Sequence, residues 1–200
     1  MRLYYVPRTR SLRPRWVLEE LGVPYELVRL DPAKGETRTA EHLARHPLGH
    51  VPVLDDGGVL LFESAAICLH LADRFPDGGL APPPGTPERG RLYQWAFFAM
   101  TEIEPALVAL EAEHRKPAGG ADEGAVEAAR ARFGSAAGAL ERALAGRTWL
   151  VGSSFSVADV VCGATLLWAR GMKLVAGLPA VEAYVGRLRD RPALRRALAD

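Results

Sequence analysis

The N-terminal part of the chain alternates short apolar runs with an amphipathic segment. Residues 3–6 and residues 25–30 are the two apolar runs. Between them, residues 11–21 place large apolar side chains on one face, with Ser11 in the N-cap position and Gly22 after the last turn. We therefore predict a strand, a helix and a strand, joined as a βαβ unit with a right-handed crossover.

A β-hairpin and a helix come next. Residues 51–62 predict the hairpin, because two apolar runs flank a turn in which Gly57 and Gly58 can take positive φ. Residues 64–75 predict the helix, since apolar side chains recur every four positions after Ser64, which stands in the N-cap position. A βαβ unit followed by ββα is the element order of a thioredoxin-like domain.

The remainder of the chain is predicted to be helical. Residues 77–87 are rich in proline and glycine and predict a linker between a first domain, residues 1–76, and a second domain, residues 88–200. The predicted fold class is therefore α/β plus all-α: a thioredoxin-like N-terminal domain (βαβ-ββα) followed by a C-terminal helical bundle.

Two helices of the second domain have distinctive features. A long helix over residues 89–115 is predicted to bend at Pro105, which has no N–H to donate. Residues 157–168 have almost no polar side chains, so the helix that they predict is buried on all sides. Ser156 and Asp159 are predicted to open it as a capping box.

Composition limits the partners of the chain. It is 48% hydrophobic and 24% charged with a net charge of +1, which predicts a soluble globular protein without a nucleic-acid or membrane partner. No apolar run reaches the ~18 residues of a membrane span, and residues 3–6 are too short for the core of a signal peptide, so we expect a cytoplasmic protein. His42 and His46 have helical spacing but no third ligand, and Cys68 and Cys162 form no CxxC motif, so we predict no metal site.

Two features between residues 51 and 64 indicate a peptide ligand with a carboxylate. Pro52 lacks an N–H and is confined to a strand start, an edge or a bulge. If the bond before Pro52 is cis, the turn exposes the Val51 N–H and C=O for pairing with an extended peptide. The Ser64 hydroxyl and the N–H groups of a helix N-terminus favour an anion.

The same stretch resembles a known signature. Val-Pro-Val-Leu at residues 51–54, a glycine-containing turn and then Glu63-Ser64 resemble the glutathione site of the glutathione S-transferase family. The helix-to-strand turn at residues 18–25 and the cap at Ser156 also resemble that family, so the resemblance covers essentially the full chain. The start of the chain is most similar to the bacterial beta-class transferases.

The resemblance implies roles for individual residues. Val51, before a cis Pro52, would pair its backbone with the cysteinyl part of glutathione, and Glu63 with Ser64 would hold the γ-glutamyl end. His50 or, alternatively, Arg45 would hold the glycyl carboxylate.

The resemblance does not by itself assign the residue that activates the glutathione thiol. The beta class has a cysteine immediately before its serine, whereas this chain has Arg10 before Ser11. Because a thiolate can be stabilised by one hydroxyl at a helix N-terminus, we predict Ser11 as the catalytic residue, ahead of Thr9 and Arg10. Tyr5 is the remaining alternative.

The resemblance also implies the activity. The chain would be a glutathione transferase of cellular detoxification that ionises the thiol of glutathione, its co-substrate, and transfers it to a small hydrophobic electrophile. The alternatives are a glutathione-dependent peroxidase or isomerase, and a non-catalytic binding or regulatory module. A homodimer is expected through residues 89–110 and the following helix. These segments carry more large apolar side chains than a single core-facing stripe can bury.

Overall fold

The apolar runs of the N-terminal part form a four-stranded sheet in the computed structural model, which describes residues 1–199. The strands are β1 (Arg2–Tyr5), β2 (Glu26–Arg29), β3 (Val53–Asp56) and β4 (Val59–Phe62), in the spatial order β2-β1-β3-β4. β1 is parallel to β2 and antiparallel to β3, which pairs with β4 as a hairpin. The helices of this part are α1 (Leu12–Leu21), α2 (Ala40–Arg45) and α3 (Ser64–Arg74), with short 3₁₀ turns at Pro32–Lys34, Glu36–Arg38 and Pro76–Gly78.

This order confirms the predicted thioredoxin-like arrangement of βαβ followed by ββα. Gly22 ends α1 in the left-handed conformation, with φ of 64°, and its N–H donates to the Leu18 carbonyl. Leu3 of β1 and Leu54 of β3 face each other in register and are fully buried, together with Trp16 of α1. α1 packs against α3, and α3 packs against β4, so the core of this part is formed by the sheet and these two helices.

The contacts divide the chain into two compact units. The first contains Met1–Ala81 together with the residues from Asp190 on, and the second is Pro82–Arg189. The sequence prediction assigned the last helix, α9 (Pro192–Leu198), to the second domain. In the structure α9 packs against α1 instead.

Ion pairs hold α9 on α1. Arg191 contacts both carboxylate oxygens of Glu20, at 2.6 and 2.7 Å. Arg196 donates to a Glu19 carboxylate oxygen at 2.7 Å and to the Glu19 carbonyl at 2.9 Å. Arg15 donates to two backbone carbonyls at the end of α9. Together with the buried Ala193, Leu194 and Ala197 of α9, these charge-assisted bonds join a segment distant in sequence to the first unit.

The long helix predicted for the second unit is divided by a π turn. Its parts are α4 (Pro87–Phe98), a π turn at Ala99–Ile103 and α5 (Glu104–His114). Pro105 has no N–H for the Thr101 carbonyl, the acceptor four residues earlier. Arg132 donates to that carbonyl instead, at 2.8 Å. The missing donor is thereby replaced from the neighbouring helix α6 (Glu123–Leu144).

The predicted capping box opens α7 (Val157–Gly171) as expected. The fully buried Asp159 carboxylate accepts hydrogen bonds from the Ser156 N–H, the Leu150 N–H and the Tyr184 hydroxyl. Burial raises the pKa of Asp159 above its ordinary value, although these donors oppose the shift. Tyr184 lies on α8 (Pro179–Arg189), so the cap ties three segments of the second unit together. No helix within residues 1–199 combines the length and the apolar character needed to cross a bilayer.

Candidate glutathione site

The sheet register brings three predicted site segments to one end of the sheet. Tyr4 pairs with Val53, and Val53 pairs with Phe62. The end of β1, the start of β3 and the end of β4 therefore lie side by side. Residues 6–11, residues 50–52 and residues 63–64 leave or enter the sheet at this common end.

Val51 presents backbone groups at this end. The Val51–Pro52 peptide bond is cis, as the resemblance implied. Pro52 is buried and Val51 is half-buried. Within residues 1–199, neither the N–H nor the C=O of Val51 has a backbone hydrogen-bond partner. These two groups can pair with the backbone of an extended ligand.

Histidines support the loop before Val51. The His42 ring nitrogen Nε2 lies 2.9 Å from the His50 carbonyl oxygen, and the His46 ring centroid lies 5.3 Å from that of His50. Burial lowers the pKa of His46, and the nearby His50 lowers it further, whereas the Glu63 carboxylate opposes the shift. The His46 ring packs on Phe62, with 4.8 Å between the ring centroids. The exposed side chains of His50 and Glu63 therefore both lie near one buried histidine.

Glu63 and Ser64 differ from the prediction in one respect. Ser64 is the first residue of α3, and the N-cap position belongs to Glu63, whose side chain makes no capping bond. Glu63 has a φ of 71°, in the left-handed region that non-glycine residues rarely adopt. Such strained residues cost about 1–3 kcal/mol and cluster at ligand sites. The prediction that Ser64 is the N-cap residue was therefore wrong. The sequence does not show that Glu63 takes a positive φ, so it could not place the cap one residue earlier.

Arg13 is a site residue that the sequence prediction missed. Its Nη1 donates to the Ser64 Oγ at 2.9 Å, and Arg13 and Ser64 are 2% and 4% exposed. One signal was available, since Arg13 precedes the buried Trp16 and Val17 by three and four residues and therefore shares the apolar face of α1. A charged side chain on a buried face requires a buried partner.

The three thiol-activating candidates lie together in the loop before α1. The Thr9 hydroxyl donates to the Val6 carbonyl at 2.7 Å and accepts the Ser11 N–H. The hydroxyl oxygens of Thr9 and Ser11 are also within hydrogen-bond distance, and because Thr9 has one hydroxyl proton, Ser11 is the donor of that bond. Ser11 is buried, Thr9 is half-buried and Arg10 is exposed.

Other candidates are less accessible. Tyr5 is 7% exposed, and the Arg15 guanidinium lies over its ring. Arg45 lies over the ring of the buried Tyr4, with 4.3 Å between the guanidinium carbon and the ring centroid. Within residues 1–199, neither Cys68 nor Cys162 forms a disulfide, and both are buried. Residues 1–199 contain no group of three or more histidine, cysteine or acidic side chains placed to hold a metal ion.

Comparison with known proteins finds similarity to both parts of the chain. Residues 1–73 match the model of the glutathione S-transferase N-terminal domain, and residues 123–187 match that of the C-terminal domain. The disulfide-bond oxidoreductase YfcG of Escherichia coli K12 is 30% identical over 98% of this chain and 93% of its own length.

Two solved bacterial structures are also similar. A sphingomonad glutathione S-transferase in complex with glutathione is 36% identical, with a TM-score of 0.86 over 99% of this chain and 97% of that one. The beta-class glutathione S-transferase of Sphingomonas chungbukensis is 35% identical, with a TM-score of 0.85 and the same coverage. With a thioredoxin-like N-terminal part, a helical second part and both domain models matched, this chain belongs to the glutathione S-transferase family, among its bacterial members.

Proposed function

We propose that this protein is a glutathione transferase that binds glutathione at the common end of the sheet and activates its thiol there. The single observation that carries the proposal is the register across β1, β3 and β4, which aligns Tyr4, Val53 and Phe62. That alignment brings together the segments that would supply a backbone pairing site, an anion site and a pair of hydroxyl groups. Glutathione is a short peptide with two carboxylates and one thiol, so it offers a partner to each.

The backbone of Val51 would hold the middle of the ligand. Its N–H and C=O would form the two hydrogen bonds of an added strand with the cysteinyl residue of glutathione. This pairing would fix the direction of the ligand. Both bonds form only when the C=O and N–H of the cysteinyl residue face the N–H and C=O of Val51. His50, exposed at the entrance to this loop, would contact the glycyl carboxylate.

Glu63 and Ser64 would hold the γ-glutamyl end. The Ser64 hydroxyl and the first N–H groups of α3 provide donors for the carboxylate, and the positive end of the helix dipole adds to them. The exposed Glu63 carboxylate supplies an acceptor for the γ-glutamyl ammonium group. The carboxylate of the γ-glutamyl end would thus meet donors at Ser64, and its ammonium group would meet the acceptor carboxylate of the adjacent Glu63.

The hydroxyls of Thr9 and Ser11 would stabilise the thiolate. We propose that Thr9, the more exposed of the two, turns its proton from the Val6 carbonyl to the sulfur, while Ser11 continues to donate to Thr9. The positive charge of Arg10 favours loss of the thiol proton to solvent. The thiolate then forms a bond to an electrophilic carbon of a small hydrophobic substrate, and the leaving group departs with its electron pair.

A second candidate function has two observations in its favour. The 1% exposure of Ser11, and Arg10 at the position where the beta class has a cysteine, fit a binding module that holds glutathione without activating it. Calorimetry with glutathione, followed by ultraviolet titration of the bound thiol, separates the two. Binding together with a thiol pKa below that of free glutathione supports the transferase, and binding with an unchanged thiol pKa supports the module. No binding of glutathione contradicts both.

A further inference from the structure

We infer that His42 is a positioning residue that fixes the direction of the Val51 N–H, so that this group is aimed at the cysteinyl carbonyl of glutathione before the ligand binds. The inference rests on the proposed function and extends it to a buried residue of α2 that acts through the backbone. The His42 ring nitrogen Nε2 lies 2.9 Å from the His50 carbonyl oxygen. Because a carbonyl oxygen carries no proton, the Nε2–H group is the donor of this bond.

The His50 carbonyl and the Val51 N–H belong to one peptide unit. This unit is planar and trans, so its carbonyl and its N–H point in opposite directions. The His42 ring is 1% exposed and holds the carbonyl from the protein interior. The Val51 N–H is therefore directed to the side away from the His42 ring.

The same contact makes the Val51 N–H a better donor. A hydrogen bond accepted by the carbonyl of a peptide unit polarises that unit, which strengthens the bond donated by its N–H. A direction that is fixed in advance also reduces the entropy lost when a ligand binds. Both effects favour the bond that the Val51 N–H would donate to the cysteinyl carbonyl of glutathione.

Other contacts hold the preceding part of the loop, residues 47–49. The Leu48 carbonyl accepts a hydrogen bond from Arg38 at 2.9 Å, and the Leu48 N–H donates to His46 Nδ1 at 3.2 Å. The Gly49 N–H donates to the His46 carbonyl at 2.8 Å. Loss of the His42 donor would therefore release the peptide unit that carries the Val51 N–H, while the rest of the loop keeps its anchors.

Packing alone does not account for a histidine at position 42. In the part of the chain that the structure describes, the buried His42 Nδ1 has no hydrogen-bond partner. A buried polar nitrogen without a partner destabilises a fold, so a phenylalanine ring would suit this site better. The substitution His42→Phe therefore separates two roles, because a role in binding predicts lower affinity for glutathione without lower stability.

The test combines calorimetry with glutathione and thermal unfolding, both on the full chain. His42→Phe is expected to weaken binding about tenfold without lowering the midpoint of unfolding. His42→Gln is expected to restore most of the affinity, because the glutamine side-chain nitrogen can take the place of Nε2. His42→Asn, whose side chain is one methylene shorter, is expected to bind as weakly as His42→Phe.

His70→Phe is the matched control. It deletes the contact between the His70 ring and the Asp56 carboxylate, which lies at the end of β3 far from Pro52. This variant is expected to keep the parent's affinity for glutathione.

A second ligand isolates the bond in question. In the analogue of glutathione whose cysteinyl C=O is replaced by CH₂, the Val51 N–H has no acceptor in the parent or in any variant. His42→Phe is therefore expected to bind this analogue within about twofold of the parent.

Each result has a distinct meaning. The inference is overturned if His42→Phe binds glutathione like the parent, if it loses affinity equally for both ligands, or if His42→Gln is as weak as His42→Phe. If His42→Phe does not fold, His42→Gln and His42→Asn give the answer, because equal affinities overturn the inference and a tenfold difference supports it. Failure of the parent to bind glutathione overturns the proposed function itself.

Discussion

The hydroxyl oxygens of Thr9 and Ser11 lie 3.0 Å apart in the loop that joins β1 to α1. Since Ser11 is 1% exposed and Thr9 is half-buried, a ligand at the end of the sheet meets Thr9 first. The order of the thiol-activating candidates proposed from sequence, with Ser11 first, is therefore reversed in the proposal based on the structure. Both residues keep a role in that proposal, because the hydrogen bonds between them fix their positions.

Thr9→Val is expected to raise the pKa of the bound glutathione thiol by about one unit or more, equivalent to ~1.4 kcal/mol of lost thiolate stabilisation. Ser11→Ala is expected to raise it by a smaller amount, because Ser11 acts through Thr9. Ultraviolet titration of the thiolate in the complex measures both. A larger shift in Ser11→Ala would make Ser11 the direct donor, and no shift in either variant would leave Arg10 as the candidate.

Ser64→Ala is expected to weaken glutathione binding roughly ten- to a hundredfold, since a hydrogen bond to a charged group is lost. Calorimetry measures the affinity. Because the change also removes the acceptor of the Arg13 bond, thermal unfolding must be measured on the same variant. Ser135→Ala, an exposed serine on α6, is the matched control. Unchanged affinity in Ser64→Ala would mean that the γ-glutamyl end binds elsewhere.

The pairing of α9 with α1 is expected to weaken in acid. Burial alone would raise the pKa of Glu19, but hydrogen bonds from Tyr25 and Arg196 lower it below the ordinary value of 4.5. A carboxylate with a lowered pKa stabilises the fold above its ordinary pKa, and this contribution is lost as the pH falls through the folded-state pKa.

Glu19→Gln is accordingly expected to reduce the free energy of unfolding at neutral pH and to differ less and less from the parent as the pH drops below 4.5. Denaturant unfolding at a series of pH values provides the measurement. Glu127→Gln, on an exposed part of α6, should show no such convergence. A difference between Glu19→Gln and the parent that is independent of pH would contradict the assignment.

The exposed apolar side chains of α4 predict self-association. Phe97 is 60% exposed and Tyr93, one turn earlier, is 38% exposed. Light scattering at micromolar concentration is expected to give the mass of a homodimer for the parent and a lower mass for Phe97→Glu. Ala183→Glu adds the same charge at an exposed position of α8, outside both helices of the proposed interface, and should leave the dimer intact. A monomeric parent would rule out the proposed interface.

Local patterns in the sequence predicted most of the fold. Apolar runs, the glycine turn and the Ser156 cap depend on residues a few positions apart, and the structure contains all three. The cis bond at Pro52 followed from resemblance to a family rather than from local physics.

The unpredicted features depend on partners that are distant in the sequence. Arg13 and Ser64 are 51 positions apart, and Glu20 and Arg191 are 171 apart. No periodicity or spacing rule links such pairs, since only the packing of α1 with α3 and α9 brings them together. Arg132 donates to the Thr101 carbonyl in place of the N–H that Pro105 lacks, and this contact depends on tertiary packing in the same way.

The position of α9 also limits the order in which the two units can fold during synthesis. Chains emerge from the ribosome N-terminus first, and domains generally fold as units. The second unit, Pro82–Arg189, is continuous and can fold as soon as it has emerged. The first unit contains segments on both sides of the second unit, so Glu19 and Glu20 cannot pair with Arg196 and Arg191 until the whole second unit has been synthesised. Of the two units, the one whose synthesis starts earlier is therefore the later one to acquire all of its native contacts.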